Sequence, residues 1–224
     1  MAAYEAVPDA RRGAVVVIQE AYGVNDYIER VTRDLAERGY HAVAPHLFHR
    51  SDIEVVPYDN VQKAIEMIGT LSDDGELTDV DATLEHLRGS GFADRRIGIV
   101  GFCMGGRVTF LTVARRSIGA GVGFYGGAIV GGWPPKFAAL DGEAATLKAP
   151  WLGLFGDNDV SIPVEHVEQL RDALKSAPVE TEIVRYANAG HGFHSEPRPA
   201  SYVPDAAADA WRRTLAWFDR HIAR

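Results

Sequence analysis

Short, continuously apolar runs alternate along the chain with longer stretches whose apolar residues recur at helical spacing. "AVVVIQ" (Ala14 to Gln19) is rich in β-branched residues and ends in charge, the pattern of a strand buried on both faces. "DYIERVTRDLAERG" follows, with Ile28, Val31 and Leu35 on one helical face and Gly39 as the stop signal. The alternation continues through the strand "YHAVAP", the helices "NVQKAIEMIGTL" and "ELTDVDATLEHLRGSG", the strand "RIGIVGF" and the helix "GGRVTFLTVARR". It closes with the strands "AGVGFYG" and "PWLGLFG", the helix "VEHVEQLRDALKS" after Pro163, the strand "VETEIVRY" and the helix "DAAADAWRRTLAWFDRHI". Strands apolar throughout, separated by amphipathic helices, predict an α/β protein: a mostly parallel sheet with helices on both faces, one domain over residues 1–224. Between Asn188 and Pro204 the pattern lapses into an irregular stretch rich in glycine, proline and histidine, and loops of that length usually carry function.

Composition narrows the partners. With 46% hydrophobic and 24% charged residues, the chain has the balance of a soluble globular protein rather than a disordered one. A formal charge of −8 argues against nucleic acid or an anionic membrane surface as partner. The glycine-broken stretch from Ile118 to Pro135 is too interrupted for a membrane span, and the opening "MAAYEAVPDARRG" lacks the apolar core of a secretory signal. A single cysteine forms no internal disulfide, so a cytoplasmic protein is expected, as a monomer or small homo-oligomer.

That cysteine, Cys103, sits in "VGFCMGGRV", between an apolar strand and a helix. Gly101-Phe102-Cys103-Met104-Gly105 is a G-x-nucleophile-x-G turn with cysteine where serine is commoner. Such a turn pushes its middle residue to the tip in a strained conformation, and the flanking glycines leave room for strand and helix to approach. The following helix would set its positive end beside the sulfur, favouring thiolate, and would aim the Met104 N–H at an oxyanion. A base and an orienting acid are available: Asp157 and Asp159 follow the fifth strand in "LFGDNDVSIP", and His191 follows the sixth in "YANAGHGF". The order nucleophile, acid, histidine is that of α/β-hydrolase sheets, whose strand ends share one edge. His194 rivals His191, but Gly190 and Gly192 flank His191 and permit a sharp approach. His46 and His49 in "HLFHR" have no cysteine or carboxylate cluster beside them, so no metal is expected.

Together, "QEAYGVN", "APHLFHR", "GFCMGG", "GDNDVSIP" and "AGHGFH" resemble the dienelactone hydrolase family (carboxymethylenebutenolidase-like), from about Gly13 to the C-terminus. The resemblance implies an α/β-hydrolase fold and a cofactor-free Cys–Asp–His triad, Cys103, Asp159 and His191, cleaving a small ester or lactone. It selects Asp159 over Asp157. It also implies that Glu20 lies beside the resting thiol as a carboxylate that holds the sulfur neutral, and that the Ala21 N–H is the second oxyanion donor.

The chain departs from the family in two respects. The arginines that hold a substrate carboxylate have no counterparts at matching positions; Lys63 or Arg198 are the candidates to replace them, although lysine lacks the bidentate fork. The family's N-terminal hairpin also looks shortened, with about thirteen residues before the first strand, which leaves the sheet edge open. Tyr22, Phe102, Tyr125 and Phe193, near the expected mouth, are candidates to line the pocket, and each would serve equally as core. Rival readings are a general carboxylesterase with a different small substrate, a non-catalytic binding protein on the same scaffold, and a redox sensor built on Cys103. The last is weakened by the lack of a resolving cysteine.

Overall fold

The structure, a computed structural model, describes residues 1–222. Its strands are β1 (Ala3–Ala6), β2 (Gly13–Ile18), β3 (Tyr40–Pro45), β4 (Ile97–Phe102), β5 (Ala120–Phe124), β6 (Trp151–Gly156) and β7 (Thr181–Tyr186). They form one sheet in the order β1-β3-β2-β4-β5-β6-β7, with β1 antiparallel to β3 and every other pair parallel. Each residue of β2 through β6 is buried, which is why those segments read as unbroken apolar runs.

β1 is the element that the sequence pattern did not reveal, and it settles the open edge. Its residues alternate between exposed and half-buried, so no apolar run marks it. Glu5 secures it by taking hydrogen bonds from His41 Nε2 of β3 at 2.5 Å and from His86 Nε2 at 2.8 Å.

The helices are α1 (Asp26–Glu37), α2 (Val61–Ile68), α3 (Asp73–Gly89), α4 (Met104–Arg115), α5 (Val164–Leu174) and α6 (Pro204–His221). α1 starts where the Asn25 side chain accepts from the Ile28 N–H, and it buries Tyr27, Ile28, Val31 and Leu35. α3 begins three residues before the apolar spacing suggests. The Ser72 hydroxyl caps the Gly75 N–H at 3.2 Å, and Asp73, Asp74 and Glu76 suit the positive end of the helix. A side chain at Gly98 of β4 would strike Phe218 of α6, and one at Gly101 would strike Gly105 of α4. Those two positions point to opposite sides of a strand, so α4 and α6 cover opposite faces of the sheet. Among the described residues, no helix is long and apolar enough to cross a membrane.

The carboxyl ends of β4, β6 and β7 lie along one edge. The segments that leave them carry Cys103, Asp159 and His191.

Candidate active site

Between the last residue of β4 and the first of α4, Cys103 adopts φ 57° and ψ −119°, a region that non-glycine residues rarely enter. The crowding around it explains the glycines. A Cβ on Gly101 would lie 2.1 Å from the Gly105 carbonyl oxygen, and one on Gly105 would lie 2.6 Å from that of Gln19. The Cys103 N–H is fixed to the Phe124 carbonyl at 3.1 Å, so the strain is held by the sheet itself.

The sulfur sits 3.1 Å from His191 Nε2. The other ring nitrogen, Nδ1, is 2.7 Å from Asp159 Oδ2. The remaining oxygen of Asp159 accepts from the Ser161 N–H at 2.9 Å and the Ser161 hydroxyl at 2.6 Å. Burial opposes ionisation of Asp159, yet the hydrogen bonds from His191 and Ser161 prevail and hold its pKa below the ordinary carboxylate value. Burial also opposes charging His191, but the sulfur of Cys103 and the carboxylate of Asp159 outweigh it and raise the imidazole well above its usual value. Sulfur, imidazole and carboxylate thus form one connected chain, suited to moving a proton off the thiol.

Asp157 plays no part in this arrangement; it accepts from Arg185 Nε at 2.7 Å in a surface ion pair. His194 is also accounted for. Its Nδ1 meets the Tyr27 hydroxyl at 2.7 Å, and its ring stacks on Phe102 with centroids 5.5 Å apart.

Met104 is the first residue of α4, so its N–H has no partner within the helix, and the Ala21 N–H is likewise unpaired among the described residues. Glu20 is 1% exposed and accepts from the Tyr125 hydroxyl at 3.2 Å, with its second oxygen unpartnered. Burial disfavours its charged form more than Arg198, His191 and Tyr125 favour it, so its pKa is raised. The sequence led us to expect a carboxylate beside the thiol. The sulfur is hydrogen-bonded to His191, and the pKa of Glu20 is raised because burial outweighs the groups that favour its charge.

Cys103, Met104, Ser161 and His191 line a cavity of about 420 Å³. None of the expected substrate contacts is among the residues that line it. Tyr125, Phe193 and Phe102 are fully buried in an aromatic cluster with Phe124 beneath the histidine loop, and Tyr22 is buried against Tyr58. Arg198 lays its guanidinium over the rings of Tyr22 and Tyr58, at 5.5 and 5.9 Å from their centroids. Lys63 lies on the exposed side of α2, paired with Glu66. Neither Lys63 nor Arg198 lines the cavity. The residues that do, and that sequence reasoning missed, include Ile68, Glu76, Arg107, Trp133 and Phe137. Ser161 had a signal, being inside the "GDNDVSIP" motif. Glu76 had none, since an acid in the first turn of a helix is ordinary capping.

One group of metal-ligand type, Glu5, His41 and His86, occurs among the described residues, at the β1 edge; the two hydrogen bonds to Glu5 account for it.

The profile of the Dienelactone hydrolase family matches residues 1–222. The chain belongs to that family. A Yersinia pestis protein named "Putative carboxymethylenebutenolidase" is 38% identical over 98% of this chain and 83% of its own length. A Bradyrhizobium protein named "Probable 2-oxo-3-(5-oxofuran-2-ylidene)propanoate lactonase" is 33% identical over 96% of this chain and 87% of its own. The crystal structure of a Klebsiella pneumoniae protein titled "Putative Dienelactone Hydrolase" superposes with a TM-score of 0.88 at 33% identity, covering 98% of this chain and 99% of that one. The mostly parallel sheet with its nucleophile-type turn is an α/β-hydrolase fold, and the chain is a hydrolase of a family that acts on lactones and esters.

Proposed function

We propose that this protein is a cysteine-nucleophile hydrolase of a small ester or lactone, built as one catalytic domain, with Cys103, His191 and Asp159 as its triad. The observation that carries this reading is the unbroken hydrogen-bond chain from Sγ through both imidazole nitrogens to a buried carboxylate. His191 takes the thiol proton and Asp159 holds the ring with Nδ1–H facing it, stabilising the imidazolium that forms. The thiolate attacks the substrate carbonyl, and the oxyanion settles between the N–H groups of Ala21 and Met104. Collapse opens the lactone ring or releases the alcohol, which takes its proton from His191. Water, deprotonated in turn by His191, then hydrolyses the thioester and restores the thiol. Burial raises the pKa of Glu20, which weakens its tendency to set a second negative charge against the thiolate. No step calls on a cofactor.

A cavity of about 420 Å³ suits a small molecule rather than a polymer, and a relative named as a lactonase makes a lactone the leading substrate class. A free nucleophilic thiol keeps its activity best in a reducing compartment, so we assign the enzyme to the cytoplasm.

The test is hydrolysis of a panel of p-nitrophenyl esters and small lactones. Cys103→Ala is expected to lower kcat by on the order of 10⁴-fold or more, as loss of a nucleophile does elsewhere. Its thermal unfolding should stay close to that of the wild type, because alanine keeps the Cβ and the strained backbone and loses only a half-buried sulfur. Wild-type rates in Cys103→Ala would refute the mechanism.

A further inference from the structure

Glu76 stands in the wall of the cavity that holds Cys103, and the steps above make no use of it. Its side chain belongs to the first turn of α3 and is buried, with the residue 2% exposed. Oε2 has no hydrogen-bond partner. A carboxylate in that position would need a cation. The one at hand, Arg107 of α4, is already engaged: it donates to both oxygens of Asp73 and to the carbonyls of Ala128 and Ala138. Asp73 cancels its charge, and the neighbours of Glu76 on its own helix, Asp73 and Asp79, add only negative charge. Asp79 is in turn held by Arg50 and His49. Cys103 and His191 border the same cavity and already pair with each other. The pull of a helix N-terminus on an anion is smaller than the penalty for burying one uncompensated.

We propose that Glu76 is a substrate-binding residue that presents the O–H of a protonated carboxyl to a neutral oxygen (ether, hydroxyl or carbonyl) on the substrate's acyl part, so that the enzyme selects neutral oxygenated esters or lactones over those bearing a carboxylate. This rests on the hydrolase reading above and narrows its substrate class. Burial is the main cause that pushes the Glu76 carboxyl up to about 8, with Arg107 opposing it, so the acid is available as a donor at neutral pH and is lost in alkaline solution. A carboxylate-bearing substrate would bring an uncompensated charge into a cavity where, among the described residues, the one lining arginine is already neutralised by Asp73.

The experiment compares kcat/KM for three aryl esters of one chain length, with a plain alkyl, a terminal methoxy or a terminal carboxylate acyl group. In the wild type at pH 7 the methoxy ester should lead the alkyl ester by about three- to tenfold, the worth of one neutral hydrogen bond, with the carboxylate ester last. The lead should fade above the pH at which the acid ionises. Glu76→Leu should bring the methoxy-to-alkyl ratio to about one, whatever the absolute rates. Glu76→Gln, which keeps a donor that does not titrate, should retain the lead and remove its pH dependence. Separately, the infrared difference between wild type and Glu76→Gln at pH 7 should contain the carbonyl stretch of a protonated carboxylic acid. A lead that survives in Glu76→Leu, a preference for the carboxylate ester, or the absence of that infrared band would overturn the proposal. Wild-type protein that hydrolyses none of the esters would overturn the hydrolase reading and this proposal with it, whereas hydrolysis without a Glu76-dependent preference would overturn this proposal alone. If Glu76→Leu fails to fold, the pH behaviour of Glu76→Gln and the infrared band decide.

Discussion

His191 and His194 are three residues apart in one loop, and their surroundings shift the pKa values of their rings in opposite directions. His191 lies between a sulfur and a carboxylate, 3.1 and 2.7 Å away, and its pKa is raised well above the usual value despite burial. His194 is packed among Phe102, Phe124 and Trp211, and among the described residues its polar partner is the Tyr27 hydroxyl. Burial, with some repulsion from Arg30, drives its pKa down to about 3. An imidazole is a base in waiting only where an anion stands ready to receive its charge; surrounded by rings, the same group is a hydrophobic spacer with one hydrogen bond.

The sharpest way to break the comparison is to convert each ring to phenylalanine. His191→Phe removes the proton acceptor and should lower kcat by on the order of 10⁴-fold. His194→Phe keeps the aromatic packing against Phe102 and removes one hydrogen bond of the Tyr27 hydroxyl, so kcat should stay within about tenfold of the wild type, the most that one lost neutral hydrogen bond supports. Ester hydrolysis by both variants at saturating substrate checks this. Comparable losses in the two would mean that the ring next to Phe102 also takes part in the chemistry.

Apart from the family resemblance, the sequence distinguished these histidines only by the glycines around His191, and that limit is instructive. The six parallel strands were legible because burial on both faces demands unbroken apolar runs, whereas β1 was hidden because half of it faces water. The turn at Cys103 was legible because its close contacts exclude every residue but glycine at Gly101 and Gly105. The cavity wall was not. Trp133, Phe137, Glu76 and Arg107 come from two helices and a long loop whose convergence no local pattern encodes. Tyr125 and Phe193 look like pocket residues in sequence, but the aromatic cluster under the histidine loop takes them inward. Choosing Asp159 over Asp157 needed the resemblance to a family, since both follow the same strand and only the fold turns Asp157 toward Arg185.

A second difference between the rings appears in acid. His194 ionises at about 3 in the native protein and near its ordinary 6.5 in the unfolded chain. Between those values the unfolded state takes up the proton first, so this group's contribution to stability is complete above pH 6.5 and is lost progressively as the pH falls toward 3. His194→Phe lacks that loss. At pH 7 the variant should be less stable by about 1 kcal/mol, because the Tyr27 hydroxyl has lost its bond to the ring. By pH 4.5 the deficit should vanish or reverse. Urea unfolding at the two pH values reads it directly, and parallel stability curves for the two proteins would show that His194 is not held neutral.

The smallest effect is expected one step further from the sulfur. Asp159 keeps its low pKa with help from Ser161, which gives it both an N–H and a hydroxyl. Ser161→Ala removes the hydroxyl bond but leaves the backbone N–H on the same oxygen, and it leaves the 2.7 Å contact to His191 intact. The loss in kcat should therefore be about three- to tenfold, the worth of one hydrogen bond, with KM for small esters nearly unchanged because the Ser161 hydroxyl bonds to Asp159 and lies 3.2 Å from His191 Nδ1 rather than holding substrate. The acid limb of the rate profile should move to higher pH, since a carboxylate with one donor fewer is more easily protonated and then ceases to hold the imidazolium. If the limb stays in place while kcat falls, Ser161 affects the cavity that it lines rather than the carboxylate, and the contrast between the two histidines would rest on Asp159 alone.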